Sequence, residues 1–228
     1  MFIKICGLTV AEDALLAVAL GADALGFVFA PSTRRVQPDA VKAILTQLPH
    51  GVLTFGVFQD ERPEHVVEIV HRVGLSGAQL HGSMGPEATA YVSERVRYTV
   101  RAFAAGREPL ASMKSYKVWS YLVDAASPGS GEVFDWSIVE GIPERSRLIL
   151  AGGLRPENVA SAVRAVRPFG VDVSTHVESR PGRKDPVKLR AFIAQVRAVE
   201  QELDESTEDD RSAQGSNDVG PYNWEDPT

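Results

Sequence analysis

A single cysteine, Cys6, stands in 228 residues, so no intrachain disulfide can form and no cysteine cluster can hold a metal. The chain also lacks any run of about 18 apolar residues and any N-terminal stretch of basic, apolar and small residues in that order. Membrane-spanning and secreted proteins are therefore poor fits, and a cytoplasmic location is expected. Metal-ligand spacing of His, Cys and acidic residues is missing too. Nor is there a basic excess: 24 Lys and Arg stand against 30 Asp and Glu, a formal net charge of −6. Nucleic acid is thus not an expected partner.

The negative charge is not spread evenly. Residues 201–228 hold nine Asp or Glu and one basic residue, Arg211, so the chain before them is close to neutral. Apolar periodicity stops after Glu202, and the remaining residues are rich in Asp, Glu, Ser, Gly and Asn. Such a stretch buries too little apolar surface to order itself. The expected organisation is a folded domain over residues 1–203 and a disordered acidic tail over 204–228.

Within the folded part, β-rich apolar runs alternate with helical patterns. Strands are expected at 2–6, 24–29, 53–58, 77–81, 98–103, 121–125, 147–151 and 170–174. Helices are expected at 9–20, 39–48, 64–73, 87–95 and from Pro156 and Pro186 onward, with shorter ones near 110–114 and 136–140. Thr9 and Glu12 have the spacing of a capping box. Pro38, Pro63, Pro86 and Pro156 each precede an acidic residue at a helix start, where proline's missing N–H costs nothing and an acid suits the positive helix end. Eight such units in about 195 residues make an α/β chain of (β/α)8 barrel type, near the lower size limit. A doubly wound open sheet is the alternative, but it does not require eight units.

In such a barrel, chemistry gathers at the C-terminal strand ends, and phosphate commonly sits after strands 7 and 8. There the chain has Gly152 and Gly153, then Ser174, Thr175 and His176, two turns able to present backbone N–H groups to an anion. Cys6 ends the first strand before a helix, which would lower its thiol pKa and make it a base. The bland reading is a small buried hydrophobe. Asp124 closes the apolar run Tyr-Leu-Val-Asp, where burial would raise its pKa and let it donate a proton. A turn aspartate accepting backbone N–H bonds is an even alternative. Lys4 and Asp172 lie on adjoining strands of a closed barrel and could form an interior ion pair. Arg34 could fork onto a carboxylate or phosphate, whereas Arg35 reads as solvated. His81 reads as a contact or packing residue, and His50, His65 and His71 need no special role.

Several segments together carry a resemblance: Lys4-Ile-Cys-Gly-Leu-Thr9, Gly26-Phe-Val-Phe29, Ser32-Thr-Arg-Arg-Val36, Gln79-Leu-His-Gly82, Ala151-Gly-Gly-Leu154 and Gly170-Val-Asp-Val-Ser174 with Val177-Glu-Ser179. From residue 2 to about 198 the chain resembles the phosphoribosylanthranilate isomerase family. The resemblance implies a ribulose-phosphate-binding TIM barrel and the Amadori rearrangement of N-(5-phosphoribosyl)anthranilate in tryptophan biosynthesis. It implies Cys6 as general base, Asp124 as general acid and Arg34 as the contact for the anthranilate; His81, from its place at the end of the fourth strand, is expected as a further substrate contact. Gly152, Gly153, Ser174, Thr175 and His176 would hold the phosphate of a small phosphorylated substrate. No cofactor or metal is implied, and the chain is expected as a monomer or homodimer. His176 departs from the family's usual glycine, so weakened phosphate binding is expected if that position needs a positive φ. The loop after Asp124 also looks short. Two competing expectations are a related phosphoribosyl-sugar isomerase, which would carry a carboxylate where Cys6 stands, and a catalytically silent phosphate-binding barrel.

Overall fold

The computed structural model describes residues 1–104, 110–124 and 146–214. Eight strands close into one parallel barrel in chain order: β1 (Phe2–Ile5), β2 (Ala24–Val28), β3 (Leu53–Gln59), β4 (Gly77–His81), β5 (Tyr98–Ala104), β6 (Ser120–Asp124), β7 (Leu148–Ala151) and β8 (Gly170–Val173). The seam is β8 against β1, which sets Lys4 opposite Asp172. Outside it lie α1 (Ala11–Ala19), α2 (Pro38–Leu45), α3 (Pro63–Val73), α4 (Pro86–Ser93), α5 (Val159–Val166) and α6 (Pro186–Gln214), with a short 3-10 helix over Leu110–Ser115. The helix expected near 136–140 lies outside the described residues.

Side chains alternate across each strand, so each contributes to two cores. Ala24, Phe55, Val100, Ala102, Leu122, Ile149 and Ala151 fill the barrel, and Phe2, Tyr98 and Trp119 pack against them. Ile3, Ile5, Leu25, Phe27 and Leu80 face outward onto helix residues such as Val66, Ile69, Val70 and Phe192. Further up the interior, apolar filling gives way to buried polar groups: Lys4, Gln79 and Asp172. They form the floor of the mouth.

The proline signals largely mark helix starts. Pro38, Pro63 and Pro86 open α2, α3 and α4. Asp185 caps α6 by accepting from the backbone N–H groups of Val187 and Lys188, with Pro186 at the first helical position. Pro156 is different. Asn158 accepts from Arg155 N at 2.8 Å and donates to Gly153 O at 3.0 Å, holding the chain in a turn, and α5 starts only at Val159. The capping box does not form either: Val10 is the N-cap of α1 and makes no side-chain cap bond. The Thr9 hydroxyl instead donates to Gly182 O, in the turn between β9 (Glu178–Arg180) and β10 (Arg183–Lys184).

α6 continues through Gln214, beyond the expected boundary at residue 203. Leu203 packs against the core and Glu202 forks onto Arg164, so the helix is anchored to that point. Extending a nucleated helix then costs little. Among the described residues, no helix is long and apolar enough to cross a membrane.

Candidate active site

The floor is built first. Lys4 Nζ donates to Asp172 Oδ1 at 2.8 Å, the interior pair expected from the sequence. Cys6 succeeds Lys4 on the same face and is buried. Burial opposes the Lys4 charge, but Asp172 and Cys6 outweigh it and hold the ammonium above its usual range. Gly26 on β2 leaves room for this contact. A Cβ there would stand 2.8 Å from Cys6 Sγ and 3.0 Å from Lys4 Nζ.

The thiol expectation needs correction. Burial pushes the Cys6 pKa up, with Lys4 and Lys184 pulling the other way and Asp172 adding to the rise. The helix expected directly after Cys6 begins only at Ala11, so its positive end, which acts within about one turn, does not govern the sulfur. The resting cysteine is a protonated thiol whose anionic form depends on the lysines around it.

Of the two readings left even for Asp124, the raised pKa is the one the structure carries. It ends β6, and burial, then the charge of Asp172, raises its pKa to about 6. It lines a cavity of about 460 Å³ together with Asp172 and the five residues assigned to phosphate: Gly152, Gly153, Ser174, Thr175 and His176. Six sequence-derived positions from β6, β7 and β8 therefore converge on one space.

In the turn after β7, Gly152 and Gly153 both adopt left-handed backbone, with φ of 80° and 64°. A residue with a Cβ pays about 1–2 kcal/mol for that conformation, which explains the pair. His176 does not share it. It sits in a 3-10 turn over Thr175–Val177, and its φ is not positive. The strain expected from histidine in place of glycine is absent, because this turn is of a kind any residue can adopt.

His81 ends β4, where burial and then the Lys4 charge lower its pKa to about 4, so it is neutral near pH 7. Its Nε2 lies 2.6 Å from the buried Gln79 amide. Arg34 lies off the cavity lining and reaches its rim through Thr175 Oγ1, 3.3 Å from Nη2. Arg35 is exposed, as are His50, His65 and His71. No group of side chains among the described residues could hold a metal ion. The loop after Asp124 lies outside the described residues.

Sequence reasoning passed over Glu178, Lys184, Gly7 and Gly26. Glu178 was visible as the one acid of the Val-Glu-Ser segment. Lys184 gave no signal, because two of its three partners are backbone carbonyls, those of Cys6 and Ser174, and the third is Glu178.

A family model described as N-(5'phosphoribosyl)anthranilate (PRA) isomerase matches residues 3–195. An N-(5'-phosphoribosyl)anthranilate isomerase of Desulforudis audaxviator is 48% identical over 202 residues, covering 86% of this chain and 97% of its own. The solved phosphoribosyl anthranilate isomerase of Thermus thermophilus is similar at a TM-score of 0.80 and 41% identity, covering 87% of this chain and all of its own. Another solved phosphoribosyl anthranilate isomerase, in complex with reduced 1-(o-carboxyphenylamino)-1-deoxyribulose 5-phosphate, matches at 0.74 and 36%, covering 87% of this chain and 99% of its own.

Proposed function

The chain belongs to the N-(5'-phosphoribosyl)anthranilate isomerase family, and from that premise we propose how its residues divide the reaction. The reaction is an Amadori rearrangement in tryptophan biosynthesis, converting N-(5-phosphoribosyl)anthranilate to 1-(2-carboxyphenylamino)-1-deoxyribulose 5-phosphate. Two proton transfers are needed, one to the furanose ring oxygen and one from C2′.

Asp124 supplies the first. With its pKa raised to about 6, it holds a proton close to neutral pH and can deliver it as the ring opens. The substrate's own nitrogen takes up the developing charge as an iminium, so no cofactor is called on. Cys6 supplies the second transfer by removing the C2′ proton, and the enolamine then tautomerises to the ketone. Its raised thiol pKa fits this order of events, because the new iminium charge beside the sulfur favours the thiolate after ring opening and not before. Gly152, Gly153, Ser174, Thr175 and His176 hold the phosphate, Arg34 the anthranilate carboxylate, and neutral His81 contacts the sugar.

The observation that supports this reading most is the single cavity shared by Asp124 and the phosphate turns. Consumption of freshly generated N-(5-phosphoribosyl)anthranilate, monitored by loss of its fluorescence, tests it. Wild type should turn over, while Cys6→Ser and Asp124→Asn should each lose at least ~10²-fold in kcat, the usual contribution of a positioned acid or base. Folded variants within a few fold of wild type would remove those residues from the chemistry.

A further inference from the structure

We propose that Glu178 and Lys184 are positioning residues that divide the Arg34 guanidinium between the protein and the substrate, so that one edge is locked and the other recognises an aromatic carboxylate. This rests on the reading of Arg34 as the carboxylate contact and adds what makes it selective.

Arg34 Nε donates to Glu178 Oε1 at 2.8 Å, and Nη2 donates to Oε2 at 2.7 Å. That is a two-bond fork with the geometry a guanidinium and a carboxylate share. Nη2 also reaches Thr175 Oγ1. Nη1 donates to no described residue, so two N–H groups on the far edge of a fixed plane remain for a ligand.

The charges support the same division. The Glu178 side chain is 3% exposed and that of Lys184 is fully buried, with Nζ 3.0 Å from Glu178 Oε1. Burial works to protonate Glu178, but Arg34 and Lys184 outweigh it and keep the carboxyl below its usual range. Two cations thus share one carboxylate. Lys184 neutralises Glu178, and the positive charge of Arg34 is left for an incoming anion. A single unpaired carboxylate at this depth would instead be costly.

The clamp is also registered to the chemistry. Lys184 Nζ donates to Cys6 O at 2.7 Å and to Ser174 O at 3.1 Å, using its three donors on β1's end, β8's end and Glu178. Arg34 is therefore fixed against the backbone that carries Cys6 and the phosphate turn. Its chain passes over Gly7, where a Cβ would stand 2.5 Å from Arg34 Cδ.

Two phosphorylated probes separate this role from general support of the barrel seam. One is the reduced 2-carboxyphenylamino-deoxyribulose phosphate, and the other is its aniline counterpart without the carboxylate. Titration calorimetry should show wild type preferring the first. Glu178→Gln should lose about 10-fold for the carboxylated probe, the scale of one charge-assisted contact, with little change for the aniline probe. Glu178→Asp keeps a negative charge beside Lys184, so it protects the fold, yet its shorter arm cannot close the fork and it should show the same selective loss. In an Arg34→Met background, Glu178→Gln should cost nothing more, because the two act as one unit. Folded Glu178 variants that weaken both probes equally, or neither, would overturn the clamp. Arg34→Met retaining the preference would instead overturn the reading of Arg34 itself.

Discussion

Burial moves the two proposed proton-transfer groups in the same direction, with opposite consequences. It raises Asp124 to about 6, which turns an ordinary carboxylate into an acid useful near neutral pH. It raises the Cys6 thiol as well, which keeps the thiolate scarce until charge develops beside it. The Asp124 shift carries a stability signature. A folded-state pKa above the unfolded one favours the folded state at low pH, and that advantage is lost as pH rises from the unfolded value through about 6. Asp124→Asn removes the penalty of a buried carboxylate, so it should be more stable than wild type at pH 8 by about 1–3 kcal/mol and nearly equal at pH 4. Urea unfolding at the two pH values measures this. Equal stability at pH 8 would mean that Asp124 is better solvated than the fold implies.

The β7–α5 connection shows how an element sets the shape of a turn. Gly152 and Gly153 take a left-handed path, and the Asn158 side chain ties Gly153 O to the turn before α5. Asn158→Ala should cost about 1 kcal/mol of stability from its lost hydrogen bonds and raise KM several-fold with kcat nearly kept. Steady-state kinetics would contradict this if kcat fell while KM held. The same element marks where reading the sequence reached its limit. Pro-acid pairs locate α2, α3 and α4 because proline acts through its own ring and missing N–H. At Pro156 that signal was misleading, since a side chain two positions later bonds backward and delays the helix. The Thr9–Glu12 box failed for a related reason. Thr9 is drawn to Gly182, 173 residues away, and no local pattern contains that contact.

At the scale of the whole molecule, the barrel was legible because eight units of similar length repeat and because strand ends select candidate residues by position alone. Asp124, the glycine pair and the Ser174–His176 turn were all singled out this way and line one cavity, and closure placed Lys4 against Asp172. The features that stayed hidden depend on depth and on long-range pairing. The thiol shift arises from burial, and the Arg34 clamp joins residues 144 positions apart. The closed barrel therefore brings Asp124 on β6 and Cys6 at the end of β1 to one mouth, where they act in successive steps under the proposed division. A substrate deuterated at C2′, used under single-turnover conditions, tests that assignment most directly. Cys6→Ser should make proton removal rate-limiting and expose a large primary isotope effect. Asp124→Asn should make ring opening rate-limiting and bring the effect near unity. The reverse pattern would contradict the division of labour between Asp124 and Cys6.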